Sequence, residues 1–110
     1  MSTRSHIGIV YPDNSIEAVY HHWDGYPSFL LVECRKYIQE HGIKAFEERV
    51  FYAQKNGGFR SFPECYEEPD DWRVTDRGHL NNDYAYLFDS ETGELVEFYQ
   101  WGERTDAPSI

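Results

Sequence analysis

Residues 83–101 read DYAYLFDSETGELVEFYQW and predict a β-hairpin. Aromatic and β-branched side chains, which favour strands, dominate residues 83–88 and 94–101. The five residues between them, 89–93, have the composition of a tight turn that ends in glycine. Alternation along the strands predicts that Tyr84, Tyr86 and Phe88 share one face, and that Leu95, Tyr99 and Trp101 share another.

A second hairpin is predicted near the start of the sequence. Residues 6–11, HIGIVY, read as a strand rich in β-branched residues, and 16–22 read as its partner. Between them, Pro12 fixes its own φ angle, and the following Asp-Asn-Ser tolerates tight turn geometry. The two strands are therefore expected to pair side by side.

Two helices are predicted between the hairpins. Apolar residues from Leu30 to Ile38 recur every three or four positions, after a start at Pro27-Ser28 and before a stop at Gly42. A second stripe begins near Ile43 and ends at Gly57-Gly58. Residues 59–82 show no regular pattern, and a connection of this length is usually functional or contains short elements.

The order β-β-α-α-β-β predicts an α+β fold. We expect an antiparallel sheet built from the two hairpins, with the two helices packed on one face. The 110 residues suffice for a single domain, 1–110, with a tail that frays from about Gly102. The hairpins could join within one chain or across a homodimer interface, and the sequence leaves both arrangements open.

The charge is unevenly distributed. Residues 1–55 carry seven Asp/Glu against six Lys/Arg, whereas residues 56–110 carry thirteen against four. Nearly all of the net charge of −10 therefore belongs to the second half. Such a field repels nucleic acid and anionic membranes and attracts basic protein surfaces.

The number of cysteines and the length of the apolar runs indicate the cellular compartment of the protein. Cys34 and Cys65 form no Cys-x-x-Cys pair and are too few for a disulfide framework. No apolar run approaches the length that spans a membrane, and the first residues lack the apolar core of a secretion signal. The expected location is the cytoplasm.

The segment HWDGYP, residues 22–27, lies where the second strand gives way to the first helix. Loops in such positions often carry ligand sites, and Trp23 and Tyr26 could sandwich a planar ring. The alternative is a structural turn in which Gly25 adopts a positive φ angle and Asp24 acts as a cap. Both interpretations stay open.

Catalytic and metal-binding signatures are weak. The candidate metal ligands have no recognised spacing, and adjacent histidines on a strand point to opposite faces; these ligands are His6, His21, His22, Asp24 and His79. No nucleophile elbow, P-loop or dinucleotide-binding glycine pattern occurs, so we expect no metal and no cofactor. Paired carboxylates leave a small hydrolase as the less favoured alternative to a non-enzymatic binder.

Acidic residues of the second half are the candidate protein-binding set. Acids spread over a sheet and a loop can imitate the phosphate spacing of a duplex and compete for a basic groove. The candidates are Glu64, Glu67, Glu68, Asp70, Asp71, Asp83, Glu94 and Glu97.

Two motifs together resemble a known group of proteins. STRSHIG at residues 2–8 and HWDGYP at 22–27 resemble small phage, prophage and plasmid proteins, and YAYLF at 84–88 looks similar too. The resemblance covers about the first 40 residues well. It implies a mobile-element origin and a counter-defence role, and it brings no assigned activity.

Two mechanisms follow from the resemblance. In the favoured one, the acidic half occludes the basic surface of a host nucleic-acid-binding defence protein, as anti-CRISPR proteins do. In the alternative, the protein is a sponge for a nucleotide immune signal. There Arg4 would meet phosphate, Ser5 and His22 would form hydrogen bonds, and the rings of the second motif would stack on a base. The ligand-binding set is Arg4, Ser5, His22, Trp23, Asp24 and Tyr26.

Overall fold

The computed structural model describes residues 3–21, 24–55 and 73–109. Within these residues it has five strands, two α-helices and one short 3₁₀ turn. The strands are β1 (Ser5–Val10), β2 (Ile16–His21), β3 (Tyr84–Asp89), β4 (Leu95–Gln100) and β5 (Glu103–Thr105); the helices are α1 (Leu30–His41) and α2 (Ile43–Lys55); the 3₁₀ turn is Arg77–His79. The α+β class is confirmed.

The sheet is mixed, so the prediction of a wholly antiparallel sheet is wrong. Its strand order is β2-β1-β3-β4-β5, and the two predicted hairpins join through a parallel β1–β3 pair. Strand β2 ends beside Ser5 at His21, and β3 begins beside Ser5 at Tyr84. Because the intervening chain returns to the end of the sheet that it left, β3 runs in the same direction as β1.

Both helices pack on one face of the sheet, as predicted. The main hydrophobic cluster joins Leu30, Leu31 and Cys34 of α1 to inward residues of β1, β3 and β4. Helix α2 contributes Phe46, whose ring meets Phe88 edge to face at a centroid distance of 5.2 Å. Burial of these apolar side chains is the dominant stabilising contribution to the fold.

Residues 73–82 extend the sheet at the edge formed by β2 and cover part of its opposite face. Val74 bridges to Ala18 through two backbone hydrogen bonds of 2.9 Å, which lie beside strand β2. After the 3₁₀ turn, Leu80 is buried against Ala85 and Leu87. The sheet is therefore apolar on both faces in its centre, and part of the segment without a sequence pattern supplies the second layer.

A β-bulge changes the faces of β4. Glu97 pairs with Leu87 but Leu95 pairs with Phe88, so Val96 is the extra residue. Leu95 consequently packs on the helix side, whereas Tyr99 lies in the opposite cluster. The prediction that these two residues share a face is wrong, because strict alternation does not survive a bulge.

The tail that was expected to fray contributes β5. Its residues pair antiparallel with β4, from Phe98 beside Thr105 to Gln100 beside Glu103. A turn with positive φ angles at Trp101 and Gly102 makes this return, and the Trp101 side chain is 70% exposed. In the parts of the chain that the structure describes, no helix has the length and apolar character needed to cross a membrane.

Candidate functional site

The candidate site is a groove of about 440 Å³ at the end of the sheet where β3 begins and β4 ends. We call it the aromatic groove. Its described lining comes from the segment before α1, from β3 and β4, and from the chain after β5: Tyr26, Pro27, Ser28, Tyr84, Phe98, Gln100, Asp106 and Pro108. Its size lies within the range of pockets that hold small molecules.

Close packing around Gly25 holds one wall of the groove in place. The Gly25 N–H donates to the Thr3 carbonyl at 2.9 Å, and its own carbonyl accepts from the Tyr86 hydroxyl at 2.6 Å. A Cβ atom at this position would lie 2.6 Å from Ser5 Oγ, so only glycine fits. The two motifs of the sequence analysis are therefore in direct contact.

The positive φ angle of this turn is found at Asp24, whereas the structural-turn interpretation placed it at Gly25. Asp24 has φ 52°, whereas Gly25 is not among the residues of positive φ. Asp tolerates the left-handed region better than most residues do. Glycine is needed at position 25 because of space, and the expectation about its backbone angle is wrong.

Tyr26 links the turn to helix α1. Its carbonyl accepts from the N–H groups of Phe29 at 3.1 Å and Leu30 at 2.9 Å. No side-chain hydrogen bond caps the helix at Phe29. These backbone bonds fix the main chain of Tyr26 while its side chain stays 40% exposed at the groove.

Three aromatic residues of the sheet stand next to one another at the groove. The rings of Tyr84 and Tyr86 are nearly parallel, with an angle of 17° and a centroid distance of 6.3 Å. Phe98 lies 6.0 Å from Tyr84 and 5.6 Å from Tyr86. Tyr86 is buried, and burial raises the pKa of its hydroxyl, which is committed to the Gly25 carbonyl. Tyr84 and Phe98 form the sheet side of the groove.

The charge of the groove is negative in its described part. Asp106 is the one charged side chain in the described lining, and it is exposed. No ion pair within the described ranges engages its carboxylate. The neighbouring Arg104 instead donates to the Val96 carbonyl at 3.2 Å and lies 4.0 Å from Glu97.

Of the six predicted ligand-binding residues, Tyr26 lines the groove. Arg4 is exposed, and its backbone N–H donates to the Asp83 carboxylate at 3.0 Å. Ser5 is fully buried, with its hydroxyl 3.4 Å from the His21 carbonyl, so it is closed to a ligand. Asp24 is exposed in the turn. His22 and Trp23 lie outside the described residues.

The predicted protein-binding acids are scattered. Five of them, Glu64, Glu67, Glu68, Asp70 and Asp71, lie outside the described residues. Glu94 is exposed in the turn before β4. Asp83 is half-buried and holds the Arg4 backbone, while Glu97 is 4% exposed and therefore inaccessible to a partner.

Glu97 belongs to a buried ionic network. Arg77 donates to its two carboxylate oxygens from Nε at 2.8 Å and from Nη2 at 2.7 Å. The Tyr99 hydroxyl donates to the same carboxylate at 2.6 Å. Burial alone would raise the pKa of Glu97, but these hydrogen bonds and the nearby guanidinium charge hold it below its ordinary value. The network fastens residues 73–82 to the sheet.

The described candidate histidines are His6, His21 and His79, and the first two are buried. His6 is buried, its Nδ1 atom lies 3.2 Å from the Asn82 side-chain nitrogen, and burial lowers its pKa to about 4. His21 is buried as well, and His79 is exposed in the 3₁₀ turn. Among residues 3–21, 24–55 and 73–109, no group of three or more His, Cys, Asp or Glu is placed to hold a metal ion.

Sequence reasoning missed most of the groove. The shared face of Tyr84 and Tyr86 was visible from alternation, but nothing local connects Tyr84 with Asp106 or Pro108, which follow a strand that was not predicted.

No family model, no curated protein and no solved structure matches this chain. The site is therefore defined by its own geometry: an aromatic groove with one exposed carboxylate, built beside the contact between the two motifs.

Proposed function

We propose that this protein is a non-catalytic accessory protein of a mobile element that inhibits a host nucleic-acid-binding defence protein by occupying its basic surface. The observation that carries the proposal is the aromatic groove, whose described lining has a carboxylate and no cationic side chain. Aromatic rings and a carboxylate complement cationic groups. A net charge of −10 acts in the same direction over longer distances.

The described arginines of the second half contact carboxylates or carbonyls of the protein itself. Arg73 lies 3.0 Å from the Glu17 carboxylate, and Arg77 pairs with Glu97 at 2.7 Å. Glu91 and Glu94 in the β3–β4 turn and Glu103 in β5 remain exposed. This distribution supports a negative outer surface that would steer a basic protein toward the groove.

The proposed inhibition is tested in bacteria that each carry one nuclease-based defence system. Expression of the protein should restore phage plating by at least about tenfold in the strain whose system it inhibits. The variant Glu67→Lys/Glu68→Lys should lose this effect, because it reverses charge in the acidic half. The matched variant Glu40→Lys/Glu48→Lys changes the net charge equally on the helices and should keep it.

Binding of the purified pair adds a second test. The affinity should fall as salt rises, because the complex depends on charge complementarity. Equal loss of inhibition in both charge variants would contradict an acidic docking surface. Inhibition at strongly sub-stoichiometric amounts of the protein would contradict a non-catalytic mechanism, since a binder acts one for one.

A nucleotide sponge is the second candidate. The contact between Thr3 and Gly25 supports it, because it unites the two motifs whose residues suit a nucleotide. Native mass spectrometry of protein purified from phage-infected cells tests it: a bound mass of nucleotide size supports the sponge, and a clean apo mass opposes it.

A further inference from the structure

We propose that the aromatic groove is an arginine-recognition pocket, which takes a guanidinium side chain from the basic partner protein. The inference rests on the proposed function, because it assumes a protein partner, and it adds the chemical group that is recognised. Tyr26 and Tyr84 supply the accessible aromatic surface, Phe98, which is 5% exposed, packs beside Tyr84, and Asp106 supplies the counter-charge.

The aromatic residues suit a cation that is also planar. Tyr26 is exposed at one side of the groove, and Tyr84 is half-buried at the other, where the ring of the buried Phe98 packs against it with an interplanar angle of 31°. A cation near the face of an aromatic ring is attracted by the ring quadrupole. A guanidinium group also stacks on such faces, whereas an ammonium group is compact and strongly hydrated.

The polar groups of the lining suit the same ligand. Asp106 can accept two parallel N–H hydrogen bonds from one guanidinium group, an arrangement that an ammonium group cannot match. Gln100 and Ser28 also line the groove, and both side chains can accept an N–H. Every polar side chain in the described lining therefore offers an acceptor to a ligand that has only donors.

The charge of the lining opposes the ligand of the sponge alternative. A nucleotide carries phosphate, which would lie near the Asp106 carboxylate without a cationic partner in the described lining. The groove, at about 440 Å³, also exceeds what one guanidinium group fills, so neighbouring peptide residues can enter with it. The occupant that fits these observations is an arginine within a peptide chain.

The direct test titrates ¹⁵N-labelled protein with the peptide acetyl-Ala-Arg-Ala-amide and follows amide chemical shifts. The matched ligand is the citrulline peptide, which has the same shape without the charge. The arginine peptide should bind about five- to tenfold more tightly, from the combined ion-pair and cation–π terms. Its shifts should concentrate at residues 26, 28, 84, 98–100 and 106.

Two variants and one control sharpen the test. Asp106→Asn and Tyr84→Leu should each reduce the preference for arginine over citrulline by about two- to fivefold. Glu48→Gln removes the same charge from an exposed position on α2, outside the described groove lining, and should leave the preference unchanged. Thermal unfolding of each variant checks that it is folded. If Tyr84→Leu does not fold, Asp106→Asn alone tests the preference for arginine.

Three results would overturn the inference. One is equal affinity for the arginine and citrulline peptides, and another is a set of shifts scattered over the acidic surface. The third is tighter binding of AMP than of the arginine peptide at the groove residues. Phage plating tests the proposed function separately. Inhibition that survives Asp106→Asn would reject the groove as the contact with the partner but keep the proposed inhibition. Arginine binding without any inhibition would keep the arginine pocket but reject the proposed inhibition.

Discussion

Replacing Arg77 by Met is expected to destabilise the fold by about 2–4 kcal/mol at pH 7. The Glu97 carboxylate is 4% exposed and would keep only the Tyr99 hydroxyl and the more distant Arg104, at 4.0 Å. Breaking a buried ion pair by removing one partner typically costs about 3–5 kcal/mol. The Arg77 side chain is 31% exposed, so water replaces part of the lost interaction and lowers the figure.

The stability that Arg77→Met loses relative to the wild type should become smaller as the pH is lowered. In the wild type the lowered pKa of Glu97 contributes stability above the unfolded value of 4.5, and this contribution disappears as pH falls through the lowered pKa. Without Arg77, we expect burial to outweigh the remaining Tyr99 and Arg104 contacts and to raise the pKa of Glu97. The ionised form then destabilises the variant at pH 7, so its deficit should shrink as the pH is lowered toward 4.5.

Urea denaturation followed by tryptophan fluorescence measures these differences. The double variant Arg77→Met/Glu97→Leu should recover most of the lost stability, because it leaves no buried charge without a partner. Lys36→Met serves as the control, since Lys36 is exposed on α1 and its replacement should cost at most about 0.5 kcal/mol. A cost of Arg77→Met no larger than that of Lys36→Met, or a further loss when Glu97→Leu is added, would refute the prediction.

Three further predictions concern single positions. Gly25→Ala should lower the free energy of unfolding, measured by urea denaturation, by about 1–3 kcal/mol, because its Cβ would overlap Ser5 of strand β1. Gly78→Ala is the control: its Cβ would meet its nearest neighbour at 3.3 Å, and the change should stay within about 0.5 kcal/mol. Since burial lowers the pKa of His6 to about 4, the wild type should lose up to about 3 kcal/mol relative to His6→Gln as pH falls from 6.5 to 4, and parallel pH profiles would contradict this. The Cys34 thiol is buried with a raised pKa, so in a Cys65→Ser protein it should react with a thiol reagent no faster than the protein unfolds; rapid labelling would contradict the burial.

The local elements of the fold were predictable because their signals are local. Alternation and apolar spacing predicted the two hairpins and the two helices near their observed positions. The parallel β1–β3 pair was not predictable in the same way, since it depends on where the chain returns after residue 21. The cover over the second face was also hidden, because Val74 and Leu80 contact the sheet from a segment with no periodic pattern.

The candidate site was predictable only in part. HWDGYP was singled out by its residue types, and Tyr26 does line the groove, but its neighbours come from strands far along the chain. The sequence alone does not show that Glu97 is buried, because its partner, Arg77, lies twenty residues away. Asp106 was overlooked because the tail was expected to fray. Composition marks residues that can bind, whereas tertiary contacts decide which of them remain accessible.

The parallel pairing of β1 with β3 also constrains how the protein can be made. Residues 5–10 pair with residues 84–89, so the centre of the sheet cannot form until the second of these segments has left the ribosome. Until then β1 has only β2 beside it in the sheet, and the helices lack the contribution of Tyr86, Phe88 and Phe98 to the main hydrophobic cluster. Contacts that span such sequence distances slow folding and prolong the exposure of unpaired strand edges. The near-neutral first half and the acidic second half are thus one cooperative unit, and neither is expected to fold when it is expressed without the other.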